Sequence, residues 1–132
     1  MRVRAALATA VLTVLLPLGS AVPAAAAPHP APDRGVLLTV SGSGNTWIRG
    51  VVLHCPPGPG DRHPDALGAC AALDAADGDF DALAGDPHPC TYQDEPVTVT
   101  AEGVRQGGAV DWRHTFSSAC LMDAVTGPVF RF

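Results

Sequence analysis

The residues best suited to chemistry by type and spacing are Asp111, His114 and Ser117, the acid, base and nucleophile types of a hydrolase. In such a triad the histidine accepts the serine proton and the carboxylate orients the imidazole. The alternating apolar and polar residues here predict a strand, on which Asp111 and His114 point to opposite faces. No serine lies in the G-x-S-x-G sequence of a nucleophile elbow. We therefore expect no enzyme, and expect His114 to pack with Trp112 and Phe116.

An acidic stretch resembles the start of a calcium-binding loop, with Asp77, Asp79 and Asp81 at alternate positions. Such a loop needs glycine at its sixth position for a sharp turn and a bidentate glutamate at its twelfth. Ala82 and His88 stand at those two positions. We therefore expect a solvated acidic loop, with neither a metal nor another cofactor.

Four cysteines indicate covalent cross-links rather than a zinc site. Their spacings of 15, 20 and 30 residues include no close pair of the C-x-x-C kind that structural zinc sites use. An even number in a small exported protein predicts two disulfides. Four cysteines allow three pairings, and the spacing leaves the choice open. The residues concerned are Cys55, Cys70, Cys90 and Cys120.

Residues 1–26 have the three-part pattern of a secretory signal peptide. A basic start precedes an apolar run over residues 5–18, and small residues follow over 21–27. The run is shorter than the roughly 20 residues that span a bilayer, so we expect cleavage rather than a membrane anchor. Cleavage is expected within Ala25–Ala27, preferably at Ala26/Ala27, and the product is expected to be secreted and extracellular.

The secreted remainder is acidic, with six arginines, no lysine and thirteen acidic residues, a net charge of −7. An acidic domain without a basic patch argues against nucleic acid and against a membrane surface as partners. We expect residues 27–34, which are rich in proline, to form a flexible tail. Residues 35–132 are long enough for one small domain.

The elements that must position any site are five strands and two helices. Pro64 suits the first turn of a helix, and Ala66, Ala69, Cys70 and Leu73 form its apolar stripe. Ser117 or Ser118 can cap a second, short helix over 120–124 that ends before Gly127-Pro128. The predicted strands are 36–40, 47–53, 97–101, 110–116 and 129–132. Mostly hairpin-connected strands with two helices predict an α+β domain built on a five-stranded antiparallel sheet.

One short segment, from Cys90 to Pro96, has the composition of a presented loop. Tyr92 is its only large apolar side chain and the only tyrosine of the chain. A loop that binds a protease must be extended, exposed and anchored at both ends. Cys90 provides one anchor if it is bridged, and Pro96 with the following strand provides the other. The remaining members are Thr91, Gln93, Asp94 and Glu95.

The chain resembles the Streptomyces subtilisin inhibitor family over about residues 36–132. The resemblance rests on landmarks in the same order around the four cysteines: Cys55-Pro56-Pro57-Gly58-Pro59, His63-Pro64, Ala69-Cys70-Ala71, Gly78-Asp79-Phe80, Cys90 with Pro96 six residues later, Gly103-Val104-Arg105-Gln106-Gly107, Phe116-Ser117, Cys120 and Val129-Phe130-Arg131-Phe132. It implies the pairings Cys55–Cys70 and Cys90–Cys120, a five-stranded sheet with two helices, and a homodimer formed through sheet packing. It also implies inhibition of serine proteases by a substrate-like loop.

The same resemblance implies a reactive bond two residues after the third cysteine, which is Tyr92–Gln93. Tyr92 would then enter the protease pocket before the bond (P1), and Gln93 would follow it (P1′). Cys90 and Thr91 would line the upstream subsites, and Asp94 and Glu95 the downstream ones. An aromatic P1 suits the apolar pockets of subtilisin-like or chymotrypsin-like proteases.

Two positions depart from the family pattern. Thr91 replaces a proline that often precedes P1, and Ser118 replaces an asparagine that supports the loop by hydrogen bonds. Both changes predict a looser loop, and a looser loop is cleaved as a substrate more readily. The alternative function is therefore a disulfide-stapled secreted binding module whose loop no longer inhibits a protease.

Overall fold

The computed structural model of the chain describes residues 23–26, 34–92 and 94–132. These residues contain an antiparallel sheet of four strands in the order β2-β1-β3-β4. The predicted α+β class with two helices is confirmed. The strands are β1 (Gly35–Gly42), β2 (Ile48–Leu53), β3 (Val97–Arg105) and β4 (Gly108–Phe116), and the helices are α1 (Ala66–Ala75) and α2 (Ala119–Thr126).

The predicted fifth strand, over residues 129–132, is wrong. Gly127–Phe130 instead forms a short 3-10 helix after α2. Gly127 adopts a positive φ of 58°, and Pro128 follows within the first turn without an N–H to donate to a strand partner. Val129 and Phe130 are almost completely buried, so they pack into the core instead of adding an edge strand.

One face of the sheet carries the core. In β3, Val97, Val99 and Ala101 are buried while the intervening threonines are half-buried, which confirms the predicted alternation. On the opposite face of the sheet, the hydroxyls of Thr39 and Thr100 lie 2.6 Å apart. This outer face is covered by no other element of the described chain, while the inner face packs on the helices.

Helix α1 begins at Ala66 with Asp65 as its N-cap, so Pro64 precedes the helix and does not stand in its first turn as predicted. The Asp65 carboxylate accepts a hydrogen bond from the Gly68 N–H at 2.9 Å, which satisfies one of the free donors of the first turn. Ala69, Cys70 and Leu73 are buried, which confirms the predicted stripe. Because Cys70 faces the sheet, it can reach Cys55, which follows β2.

The disulfides are Cys55–Cys70 and Cys90–Cys120, with Cα–Cα distances of 5.5 and 5.9 Å. The pairing implied by the family resemblance is therefore confirmed. The first bond ties the end of β2 to α1, and the second ties the segment before β3 to α2.

The predicted signal peptide and N-terminal tail fall mostly outside the described residues, and they stay predictions together with the domain boundary at residue 35. Residues 23–26 and 34 have no regular secondary structure. In the described part of the chain, no helix has both the length and the apolar character needed to cross a membrane.

Candidate functional site

The segment from Cys90 to Pro96 has no regular secondary structure and lies in the connection between α1 and β3. Tyr92 is 94% exposed, which makes it the most exposed of the large hydrophobic side chains among the described residues. Thr91, Asp94 and Glu95 are also exposed. Gln93, the predicted P1′ residue, lies outside the described residues. The loop therefore presents a large aromatic ring to solvent.

The upstream end of the loop is fixed to α2 by more than the disulfide. The Asp86 N–H donates a hydrogen bond to the Ala124 carbonyl at 2.9 Å, so the segment before Cys90 lies along the helix. His88 Nδ1 donates to the Asp86 carbonyl at 2.7 Å. These bonds order the arm that leads into the Cys90–Cys120 bridge.

A surface ion cluster ties the same arm to the C-terminal segment. Arg131 Nε lies 2.6 Å from Asp123 Oδ1 on α2, and an Arg131 terminal nitrogen lies 3.4 Å from Asp86 Oδ2. The pKa of Arg131 is raised above its ordinary value, first by its hydrogen bond to Asp123 and then by the charge of that carboxylate. Because the cluster is exposed to solvent, it orients the arm more than it stabilises the fold.

The downstream end is fixed by a residue that lies far away in sequence. Ser43 Oγ donates a hydrogen bond to the Pro96 carbonyl at 3.2 Å. The next residue, Val97, pairs with Gly42 of β1 on one side and with Phe116 of β4 on the other. The loop thus runs directly into β3, one of the two central strands of the sheet. The sequence around Ser43 carries no signal for this role, since only the strand register brings the β1–β2 turn to Pro96.

Ser118 lies under the loop and is buried. Its Oγ accepts a hydrogen bond from the Leu121 N–H at 3.2 Å and so caps α2, which confirms one of the two predicted caps. Ser118 also lines a shallow surface depression beside the loop, here called the upstream depression. The depression is lined by Cys90, Thr91, Tyr92, Asp94, Ser117, Ser118 and Leu121. The role of Ser118 in supporting the loop stays a prediction.

The three hydrolase residue types do not form a triad in the structure. The His114 ring stacks on Trp112 at a centroid distance of 5.9 Å and lies 4.4 Å from Phe116, as its position on the strand predicts. Asp111 is the register partner of Glu102 on β3, and its side chain lies on the opposite face of the sheet from His114. His114 therefore serves an aromatic stack, and the strand separates it from the carboxylate that a triad would need.

The acidic stretch after α1 is used for hydrogen bonds within the protein. The Asp79 carboxylate accepts from the Asp81 N–H, and the Asp81 carboxylate accepts from Trp112 Nε1, both at 2.9 Å. A second group of possible metal ligands consists of His88, Cys90 and Cys120, whose ligand atoms lie within 4.8 Å of one another. Both of those sulfurs are in a disulfide, so a single imidazole is left to bind a metal.

Comparisons with known proteins identify the family of the chain. The family model described as "Subtilisin inhibitor-like" matches residues 31–118. The chain belongs to this family. This confirms the predicted resemblance and the predicted class of function, a serine protease inhibitor and not an enzyme.

Individual relatives extend the match over nearly the whole chain. A subtilase-type protease inhibitor of Streptomyces fradiae is 41% identical over 128 residues, covering 93% of this chain and 90% of the relative. Subtilisin inhibitor-like protein 5 of Streptomyces fradiae is 46% identical over 88 residues, covering 66% and 82%.

A solved structure gives the same result for the fold. Streptomyces caespitosus sermetstatin, crystallised in complex with Bacillus licheniformis subtilisin, superposes with a TM-score of 0.59 at 39% identity. The match covers 74% of this chain and 97% of sermetstatin.

Proposed function

We propose that this member of the subtilisin inhibitor-like family inhibits subtilisin-like serine proteases through the loop from Cys90 to Pro96, with Tyr92–Gln93 as the reactive bond. The observation that carries the proposal is the 94% exposure of Tyr92 on a loop held at both ends. Burial of this ring in an apolar pocket removes about 150–250 Å² from water. At ~25 cal/mol per Å² that burial contributes about 4–6 kcal/mol to binding as an upper bound.

The anchors explain how a substrate-like loop can inhibit. If a protease cleaves the bond, Cys90 stays attached to α2 and Pro96 stays attached to β3, so the two new ends remain close together. Little conformational entropy is gained by cleavage, and the religated complex persists. The relative crystallised with subtilisin supports subtilisin as the first protease to test.

The experiment is a titration of a fixed amount of subtilisin with the purified protein. Stoichiometric loss of protease activity is expected, with the bulk of the inhibitor recovered intact. Rapid and complete cleavage at Tyr92–Gln93 without inhibition would instead support the alternative, a binding module whose loop is a substrate. A parallel titration of chymotrypsin tests the second target class that an aromatic P1 suits.

Secretion is part of the same proposal. The N-terminal pattern over residues 1–26 and two disulfides both suit an exported protein. N-terminal sequencing of the protein from a culture supernatant tests it, and a start at Ala26 or Ala27 is expected. A protein that stays in the cells with residue 2 or 3 at its N-terminus would contradict secretion.

The homodimer is likewise proposed. Three apolar side chains on β1 and β2, Leu37, Ile48 and Val52, are 43%, 62% and 41% exposed. Leu37 and Val52 are register partners on the outer face of the sheet, and Ile48 pairs with Ser41 on that same face. Sedimentation equilibrium should give twice the chain mass, and Val52→Glu should give the monomer mass. A monomeric wild-type protein at high concentration would contradict the dimer.

A further inference from the structure

A second depression lies on the other side of the loop. It has a volume of about 370 Å³ and is here called the downstream depression. Its lining residues include Gly42, Ser43, Trp47, Asp94, Glu95 and Pro96. One wall is thus the downstream half of the loop, and the other wall is the β1–β2 turn, whose Trp47 has no part in the proposed inhibition.

The wall formed by the turn is rigid. The Gly42 N–H donates to the Trp47 carbonyl at 3.1 Å and closes the turn. The Trp47 indole lies so close to Gly42 that a Cβ at that position would collide with the indole nitrogen. The Arg49 guanidinium lies 5.0 Å from the indole centroid and holds the ring from another side. Trp47 nevertheless remains 41% exposed.

The wall formed by the loop is acidic. Asp94 and Glu95 are exposed, and within the described residues neither carboxylate pairs with a basic side chain. The pyrrolidine of Pro96 and the edge of Trp47 provide apolar surface beside them. A long basic side chain fits this combination, because its aliphatic stem packs on apolar surface while its charged end meets a carboxylate.

We infer that the downstream depression is a second contact surface for the inhibited protease, and that it receives a basic side chain from the rim of the protease cleft on the side that follows the reactive bond. This inference rests on the proposed function. The two depressions adjoin each other, since Asp94 lines both this depression and the upstream depression beside Tyr92, and this adjacency supports the inference. A protease that grips the loop across Tyr92–Gln93 therefore reaches the downstream depression without any change in the inhibitor.

The contact has two separable parts with different kinetic effects. Desolvated aromatic contacts slow dissociation, and their loss typically weakens binding by tenfold or more when they lie in a packed region. Charges at a rim chiefly raise the association rate and make it sensitive to salt. Trp47 is therefore expected to act on dissociation, and Glu95 on association.

The test measures association and dissociation rate constants with subtilisin for the wild type, Trp47→Leu, Glu95→Gln and a control, Leu67→Ala. Leu67 is an exposed apolar residue of α1 that lines neither depression. Trp47→Leu should raise the dissociation rate about tenfold. Glu95→Gln should lower the association rate and flatten its dependence on ionic strength, and Leu67→Ala should match the wild type.

The outcomes separate this inference from the proposed function. A wild-type protein that does not inhibit subtilisin overturns both. A wild-type inhibitor whose kinetics are unchanged by Trp47→Leu and by Glu95→Gln overturns the inference alone. Since Trp47→Leu could disturb the turn, a crystal structure of the wild-type complex provides a second measurement. A basic protease side chain between Trp47 and Glu95 supports the inference, and a depression filled only by water overturns it.

Discussion

Ser43 Oγ donates a hydrogen bond to the Pro96 carbonyl at 3.2 Å, across a sequence separation of 53 residues. This bond joins the β1–β2 turn to the end of the candidate binding loop. It does at the downstream end what the Cys90–Cys120 disulfide does at the upstream end. Because an inhibitory loop must keep its two ends together after cleavage, this single hydroxyl is expected to affect inhibition more than stability.

Ser43→Ala tests that expectation. A typical hydrogen bond of this kind contributes about 0.5–1.5 kcal/mol, so the folded domain should survive its loss. Subtilisin should cleave the variant several times faster than the wild type, as measured by chromatography of timed digests. Ser41→Ala is the matched control, since Ser41 Oγ donates to the Thr98 carbonyl of β3 at 3.4 Å and Ser41 lines neither depression beside the loop. Equal cleavage rates for both variants would argue against a bracing role for Ser43.

Tyr92 is expected to set specificity. Tyr92→Lys should weaken inhibition of subtilisin and create inhibition of trypsin, because a lysine P1 pairs with the acidic pocket of trypsin-like enzymes. Tyr92→Phe keeps the aromatic body and should leave subtilisin inhibition close to the wild type. Inhibition constants against both proteases measure the effect. If Tyr92→Lys changes neither constant, Tyr92 is not the P1 residue.

The two disulfides should have different effects on inhibition. Replacing both Cys90 and Cys120 by alanine opens a loop of about 30 residues and should cost about 3–4 kcal/mol of unfolding free energy in the chain-entropy model. It should also turn the protein into a substrate that is cleaved and released. The matched control replaces Cys55 and Cys70, a pair whose loss should lower stability by roughly 3 kcal/mol.

Urea unfolding measures the stability of both double variants. Titration of subtilisin then measures their inhibition, at a urea concentration below the one at which either variant unfolds. The control should remain an inhibitor, because the Cys55–Cys70 bond lies between β2 and α1. Equal loss of inhibition in the two double variants would mean that the Cys90–Cys120 bond acts only through global stability.

Most of the architecture was predictable from local patterns, and the exceptions have a common cause. Alternation in residues 97–101 and the stripe through Ala69 and Leu73 are properties of neighbouring residues, and both were found. The strand predicted over 129–132 was wrong, because Val129 and Phe130 are apolar in a pattern that fits a strand and a buried turn equally well. Gly127-Pro128 was interpreted only as the end of α2, whereas it also sets the 3-10 turn that follows.

The candidate loop was predictable as a segment but not as a geometry. The cysteine, the lone tyrosine and Pro96 mark its limits in the sequence. The resemblance provided the disulfide pairing that spacing could not. The partners of the loop outside it, Ser43 and Trp47, carry no local signal, because the strand register alone brings them to Pro96.

Asp61 should make stability depend on pH in acid. Burial raises the pKa of its carboxyl, but hydrogen bonds from the His54 ring and the Gly58 N–H, together with the His54 charge, outweigh burial and lower it. A carboxyl with a lowered pKa in the folded state stabilises the protein above its unfolded pKa of about 3.9. That contribution is lost as the pH falls through the folded pKa.

Asp61→Asn should therefore lower the free energy of unfolding at pH 6–7, and the difference from the wild type should shrink below about pH 4. Urea unfolding across this range measures it. Asp94→Asn, a change at an exposed loop residue whose carboxylate pairs with no basic side chain in the described part of the chain, is the control and should leave the difference near zero throughout. A constant difference between wild type and Asp61→Asn at every pH would contradict the assignment.

Ser118→Asn is expected to strengthen the inhibitor. Ser118 is buried beneath the loop, and its hydroxyl already caps α2 through the Leu121 N–H. Asparagine is an equally good helix cap, and it adds an amide that reaches further and can both donate and accept hydrogen bonds. The variant should therefore resist cleavage by subtilisin longer than the wild type at equal stability.

Ser118→Ala provides the opposite change for the same measurement. It removes the cap, which should cost about 1 kcal/mol of unfolding free energy, and it leaves the loop without a polar side chain beneath it. The order expected for resistance to cleavage is Ser118→Asn, then wild type, then Ser118→Ala. Unfolding free energies that fall in this order while the cleavage rates of the three proteins stay equal would contradict the prediction. Ser118 would then only cap α2, and the loop would be held by Cys90, Ser43 and Pro96.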